Sequence, residues 1–94
     1  MPTDTTFRMI VADVFAISGL GTVAAGRIEL GTIKVYDDIW LHGQSGPIKT
    51  GVASIQVGTK GVKTATAGEM VGVVLRGLSV DRVQVGDVLS GSDS

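Results

Sequence analysis

Ninety-four residues with a formal net charge of −1 and no cysteine fit one domain and exclude a disulfide frame or thiol chemistry. An apolar content of 44% excludes the low-hydrophobicity, high-charge class of disordered chains. Eight basic residues against nine acidic ones do not supply the positive excess of a chain that grips nucleic acid unaided.

Val, Ile and Thr together contribute 30 residues, Gly 14 and Glu two. Side chains stiff at χ1 favour the pleated sheet, so composition predicts an all-β fold. Met1-Pro2-Thr3-Asp4-Thr5-Thr6 lacks the charged and apolar regions of a signal peptide. No apolar run approaches the ~20 residues of a membrane span. The expectation is a soluble chain, cytoplasmic by default.

Residues 1–6 and 91–94 read as polar tails around a single domain at 7–90. Phe7, Met9 and Val11 share one face of a first strand. The phase slips near Asp13, after which Phe15 and Ile17 alternate again, which predicts a bulge or sharp coil. Gly19-Leu20-Gly21 is a turn, Thr22 to Leu30 the returning strand, and Gly31-Thr32 the next turn. Ile33-Lys34-Val35 opens a third strand, interrupted at Tyr36-Asp37-Asp38 and resumed by Ile39-Trp40-Leu41, with Trp40 read as core. Residues 42–47, around His42, read as a loop. Ile48 to Val57 and Val62 to Ala65 are strands around Gly58-Thr59-Lys60-Gly61.

From Glu69 to Arg76, Val71, Val73 and Leu75 lie on one side, with Met70, Gly72 and Val74 on the other. Ser79 is placed to cap one helical turn, and Val88-Leu89 ends the pattern. Val35 to Ile39 and Val85 to Val88 echo each other, each with an acidic turn whose Asp bonds nearby backbone. Many short strands at this spacing predict a small closed barrel, since closure removes exposed edges.

Chemistry-bearing patterns are few. Gly61-Val62-Lys63-Thr64 lacks the spacing and the following helix of a phosphate-cradling loop. A single His42 excludes a histidine metal cage, and Asp37-Asp38 lacks the further oxygen ligands of a cation loop. No nucleophile sits beside a base. The expectation is a chain without catalytic residues, metal or cofactor. Arg27, Glu29 and Arg76 read as strand residues that form cross-strand ion pairs or hold a neighbouring loop.

Several segments carry a resemblance. Asp13-Val14-Phe15, Gly21-Thr22-Val23, Gly26-Arg27-Ile28-Glu29, Gly31-Thr32-Ile33-Lys34-Val35, Ala67-Gly68-Glu69 and Leu75-Arg76-Gly77-Leu78 occur in order. Together they resemble domain 2 of elongation factor Tu and related translational GTPases, from about Phe7 to Leu89. The resemblance implies a closed Greek-key barrel of about six or seven strands. It also implies a non-catalytic domain that packs on a GTPase domain, touches the ribosome and helps hold the tRNA 3′ end.

The pocket for that end carries over onto Ile17, Gly19, Val23 and Val74, with Gln56 and Met70 at the adenosine and Asp13 and Phe15 at the aminoacyl group. The family's polar residues are replaced at several places. Ala12 stands for a glutamate, Ala25 for a threonine, Gln56 for a glutamate, Met70 for an asparagine, and Leu20 for an arginine. Hydrogen bonds contribute about 0.5–1.5 kcal/mol when neutral and about 1.5–3 when charged. Losing three or four weakens binding by several powers of ten, at about 1.4 kcal/mol per tenfold. The alternative reading is therefore a free-standing protein-interaction barrel that has lost aminoacyl-tRNA recognition. An exposed apolar surface is expected around Phe15, Ile17 and Val74, which favours weak self-association.

Overall fold

The computed structural model describes residues 7–43 and 46–91. Of the tails expected at 1–6 and 91–94, only Gly91 is among them; residues 1–6, 44–45 and 92–94 lie outside.

Alternation along the strands sets the framework. The described residues form ten strands, β1 (Arg8–Ile10), β2 (Asp13–Ile17), β3 (Gly21–Leu30), β4 (Thr32–Lys34), β5 (Asp38–Gly43), β6 (Gly46–Val57), β7 (Lys60–Val62), β8 (Thr64–Thr66), β9 (Met70–Arg76) and β10 (Val88–Ser90). On β3, Ala24 and Ile28 are buried in the interior, while Arg27 and Glu29 face out. On β9, Val71, Val73 and Leu75 are interior, as the alternation predicts.

Neighbours run β1, β10, β5, β6, β9, β3 and back to β1, all antiparallel. Six strands thus close a barrel. β9 enters between β3 and β6, and β10 between β1 and β5, the crossed connections of a Greek key. β2 extends the ring beside β3, β7 pairs with β6, and β4 pairs with β8 in a separate ribbon.

The phase slip near Asp13 is where one partner strand replaces another. β1 lies along the far half of β3 and β2 along its near half, with Asp13 opposite Ala25. At the changeover the Ala12 N–H donates to the Ala25 carbonyl (2.7 Å), and Val11 exchanges two bonds with Gly86 and Asp87 (2.8 Å each). Gly26 is required here: a Cβ would strike the Ile10 carbonyl oxygen.

Three turns share one construction. In Lys34–Asp37, Thr66–Glu69 and Gln84–Asp87 the final carboxylate accepts the first residue's N–H, at 2.9, 2.7 and 3.0 Å. The final N–H in turn donates to the first carbonyl, at 3.1, 3.2 and 3.0 Å. The echo read at Asp37 and Asp87 is therefore real, and Glu69 adds a third member. Such turns need a left-handed third residue. It is Gly68 (φ 94°) and Gly86 (φ 97°) in two of them, but Tyr36 (φ 77°) in the other. A side chain in that region costs about 1–2 kcal/mol.

Four local expectations are corrected. The loop expected at 42–47 is corrected at its described ends: His42 and Gly43 belong to β5 and pair with Pro47 and Gly46 of β6, while Gln44 and Ser45 lie outside the described residues. Trp40 is only half-buried: it alternates with buried Ile39 and Leu41 and so faces outward, beside Lys49 and Ser90 in register. Ser79 precedes a 3₁₀ turn (Val80–Arg82) without capping it; its hydroxyl donates to Asp81 at 2.7 Å instead. Ile33 and its neighbours do not continue into the ring, but cap it through the β4–β8 ribbon with Ile33 and Ala65 buried.

Of the expected ion-pair partners, Glu29 meets Arg8 at 3.2 Å across β1 and β3. Arg76 instead lies over Gly51, where a Cβ would collide with its guanidinium. No helix of the described residues is long and apolar enough to cross a membrane.

Candidate ligand groove on the outer face

The strands that close the barrel also carry an outward-facing row. Residues opposite one another in register share a face, so Phe15, Val23, Val74 and Ser54 form one line across β2, β3, β9 and β6. Asp13, Ala25, Gly72 and Gln56 form the next. Arg27 and Met70 sit beyond them, opposite each other. Four strands therefore deliver their side chains to one surface without any loop being needed.

Between these lines lies a groove of about 260 Å³, lined among others by Phe15, Val23, Ala25, Gln56, Gly58, Met70 and Gly72. Its floor is low because Gly72 has no side chain; a Cβ there would come within 3.3 Å of a Val23 methyl. Phe15 and Met70 form its walls, at 39% and 54% exposure. Gln56 is the one lining side chain with a hydrogen-bonding amide. The arrangement can hold a flat or apolar group by contact, with a single point of polar discrimination.

The sequence-derived residues divide in position. Phe15, Val23, Gln56 and Met70 line the groove together. Val74 lies beside it, opposite Val23 and across from Ser54, but is only 2% exposed. The expected open apolar surface around Phe15, Ile17 and Val74 is thus corrected at Val74, which its neighbours in the sheet cover. Asp13 is exposed at the edge of the row, where its carboxylate accepts the Val14 N–H at 2.9 Å. Ile17 and Gly19 belong to the β2–β3 turn, with Ile17 opposite Gly21, and do not line the groove.

Sequence reasoning had not assigned Gly58 and Gly72 to the site. Alternation does put Gly72 between Met70 and Val74 on one face, and that was the available signal. Leu20, in the β2–β3 turn, is 46% exposed.

The groove lining offers no thiol, hydroxyl or imidazole to act as a nucleophile or base. Among the described residues no group of three or more His, Cys, Asp or Glu side chains is placed to hold a metal ion.

Among protein-family models, that of Elongation factor Tu domain 2 matches residues 21–90, which is 70 of the 94. The match runs from β3 to β10 and includes Val23, Gln56, Met70 and Val74. Asp13, Phe15, Ile17 and Gly19 precede it. Closed ring, interleaved strands and matched span agree, and this non-catalytic, translation-factor-like barrel belongs to the elongation factor Tu domain 2 family.

Proposed function

We propose that the barrel is a binding domain that works with a translational GTPase domain and the ribosome in the cytosol, offering its outer groove to the 3′ end of aminoacyl-tRNA. The observation that carries this reading is the convergence of Phe15, Val23, Gln56 and Met70 on one groove from four different strands. A terminal adenine would lie between the Phe15 and Met70 walls with Gln56 addressing its polar edge. Asp13, on the same face, would approach the aminoacyl group.

The substitutions set the affinity. Ala25 and Met70 offer no hydrogen bond where the resemblance implies threonine and asparagine. Contact and one amide remain, and each missing neutral bond weakens binding by about 0.5–1.5 kcal/mol. Binding should be weak and should strengthen when the polar groups return.

Titration of the chain with fluorescent aminoacyl-tRNA tests this. Ala25→Thr with Met70→Asn is expected to tighten binding by about tenfold or more. Absence of interaction with aminoacyl-tRNA and with ribosomal subunits, even at low salt, would overturn the reading.

A second reading draws support from the exposed run of Phe15, Ile17, Leu20 and Met70. On this account the groove holds an apolar segment of a protein partner. The same double substitution would then weaken capture of that partner.

A further inference from the structure

We propose that Met70 is a modification site, whose oxidation to the sulfoxide turns one wall of the outer groove from a bare contact surface into a hydrogen-bonding one. The modified groove holds the tRNA 3′ end more tightly. The inference rests on the function proposed for that groove.

Access to sulfur supplies the first argument. The chain has three methionines and no cysteine. Met9 is 0% exposed inside the barrel, whereas Met70 is 54% exposed; Met1 lies outside the described residues. Oxidation follows exposure, so in the folded barrel an oxidant reaches Met70 and not Met9. The accessible thioether is also a lining residue of the groove. A change of its polarity therefore falls on the site itself.

Its neighbour across the sheet supplies the second. Met70 of β9 stands directly opposite Arg27 of β3, and residues so paired hold their Cβ atoms about 4.5–5.5 Å apart. Arg27 is exposed, and among the described residues it takes part in no ion pair. The nearest carboxylate along β3, that of Glu29, engages Arg8 at 3.2 Å. A thioether is a weak acceptor and offers the guanidinium donors little. A sulfoxide oxygen is polar and accepts readily. One of its lone pairs can take an Arg27 N–H, which fixes the side chain's direction. Another remains for the exocyclic amine or a ribose hydroxyl of a terminal adenosine. An acceptor then stands where the resemblance implies an asparagine.

The step balances with hydrogen peroxide as oxidant. A sulfur lone pair attacks one peroxide oxygen, the S–O bond forms as the O–O bond breaks, and water leaves. Sulfur is oxidised by two electrons and the peroxide is reduced by two. Methionine sulfoxide reductase reverses the change, with a dithiol becoming a disulfide and the oxygen leaving as water.

The experiment treats the full chain with peroxide, removes the excess with catalase and locates added oxygen by peptide mass spectrometry. Titration with fluorescent aminoacyl-tRNA follows. One oxygen is expected on Met70 while Met9 stays unmodified. Affinity should rise by about threefold to tenfold, the worth of one neutral hydrogen bond. Sulfoxide reductase with dithiothreitol should return it to the starting value. The affinity of Met70→Leu should not respond to peroxide, which separates Met70 from any oxidation at Met1. In Arg27→Leu the gain on oxidation should shrink.

A chain with confirmed Met70 sulfoxide that binds no more tightly than the untreated one would overturn the inference and leave the groove reading standing. So would a Met70→Leu chain that gains affinity with peroxide, or Met9 oxidising as fast as Met70. If neither form binds aminoacyl-tRNA at all, the groove reading itself fails and this inference falls with it.

Discussion

The two faces of β3 and β9 are built from the same strands, one residue out of phase, and they answer to different demands. Inward, Ala24, Ile28, Val71, Val73 and Leu75 fill a closed space, so size and apolarity are dictated at every position. Outward, Val23, Ala25, Met70 and Gly72 form a trough that closure does not require. Val23 and Val74 are buried on this outer side without joining the interior cluster. The inner row thus carries the stability of the fold, while the outer row is free to carry specificity and to drift.

The largest expected effect tests that division directly. Ile28→Ala, at a site 1% exposed, should cost about 2–5 kcal/mol, a large share of the roughly 5–15 kcal/mol of a whole domain. Met70→Ala should stay within about 0.5 kcal/mol. Urea midpoints at a common m-value decide it, and equal losses would erase the distinction between the faces.

A smaller contrast lies between two glycines of the same sheet. Gly26→Ala must displace the Ile10 backbone and should lose about 1–3 kcal/mol. Gly72→Ala meets only a Val23 methyl, which can yield, so it should lose less while shallowing the groove. A Gly72→Ala loss equal to that at Gly26 would mean that the groove floor is as constrained as the interior.

The smallest effect lies away from both faces. Asp81 is held below the usual aspartate range, first by the Ser79 hydroxyl, then by its own backbone N–H and by Arg82. A carboxyl lowered in the folded state adds stability that is full above its unfolded pKa and fades as pH falls through the lower folded value. Ser79→Ala should move the Asp81 titration, followed by carboxyl carbon NMR, upward toward its ordinary position. An unmoved titration would remove Ser79 as the principal cause.

Part of the inner face was legible in the sequence, because period-two alternation from Glu69 to Arg76 puts Val71, Val73 and Leu75 on one side. The slip at Asp13 and the acidic turns were legible for the same reason: both are local. Pairing across distance was not. Nothing near Ile33 says that its strand joins β8 and not the ring, and a Gly-Gln-Ser-Gly stretch carries no mark that its flanks stay paired to Gly43 and Gly46. Trp40 was misplaced by letting its apolar neighbours outweigh alternation. In the groove, Phe15 and Met70 were assigned by resemblance; Gly72, which makes the floor, has no chemistry to draw attention to it.

The barrel's first and last described segments run side by side, Arg8 opposite Ser90, with the Gly91 N–H donating to the Phe7 carbonyl at 2.9 Å. A polypeptide entering at one leaves at the other, so the fold occupies no net length along a chain that carries it. Spliced between two bodies, it would hang from them like a pendant and leave their separation nearly unchanged.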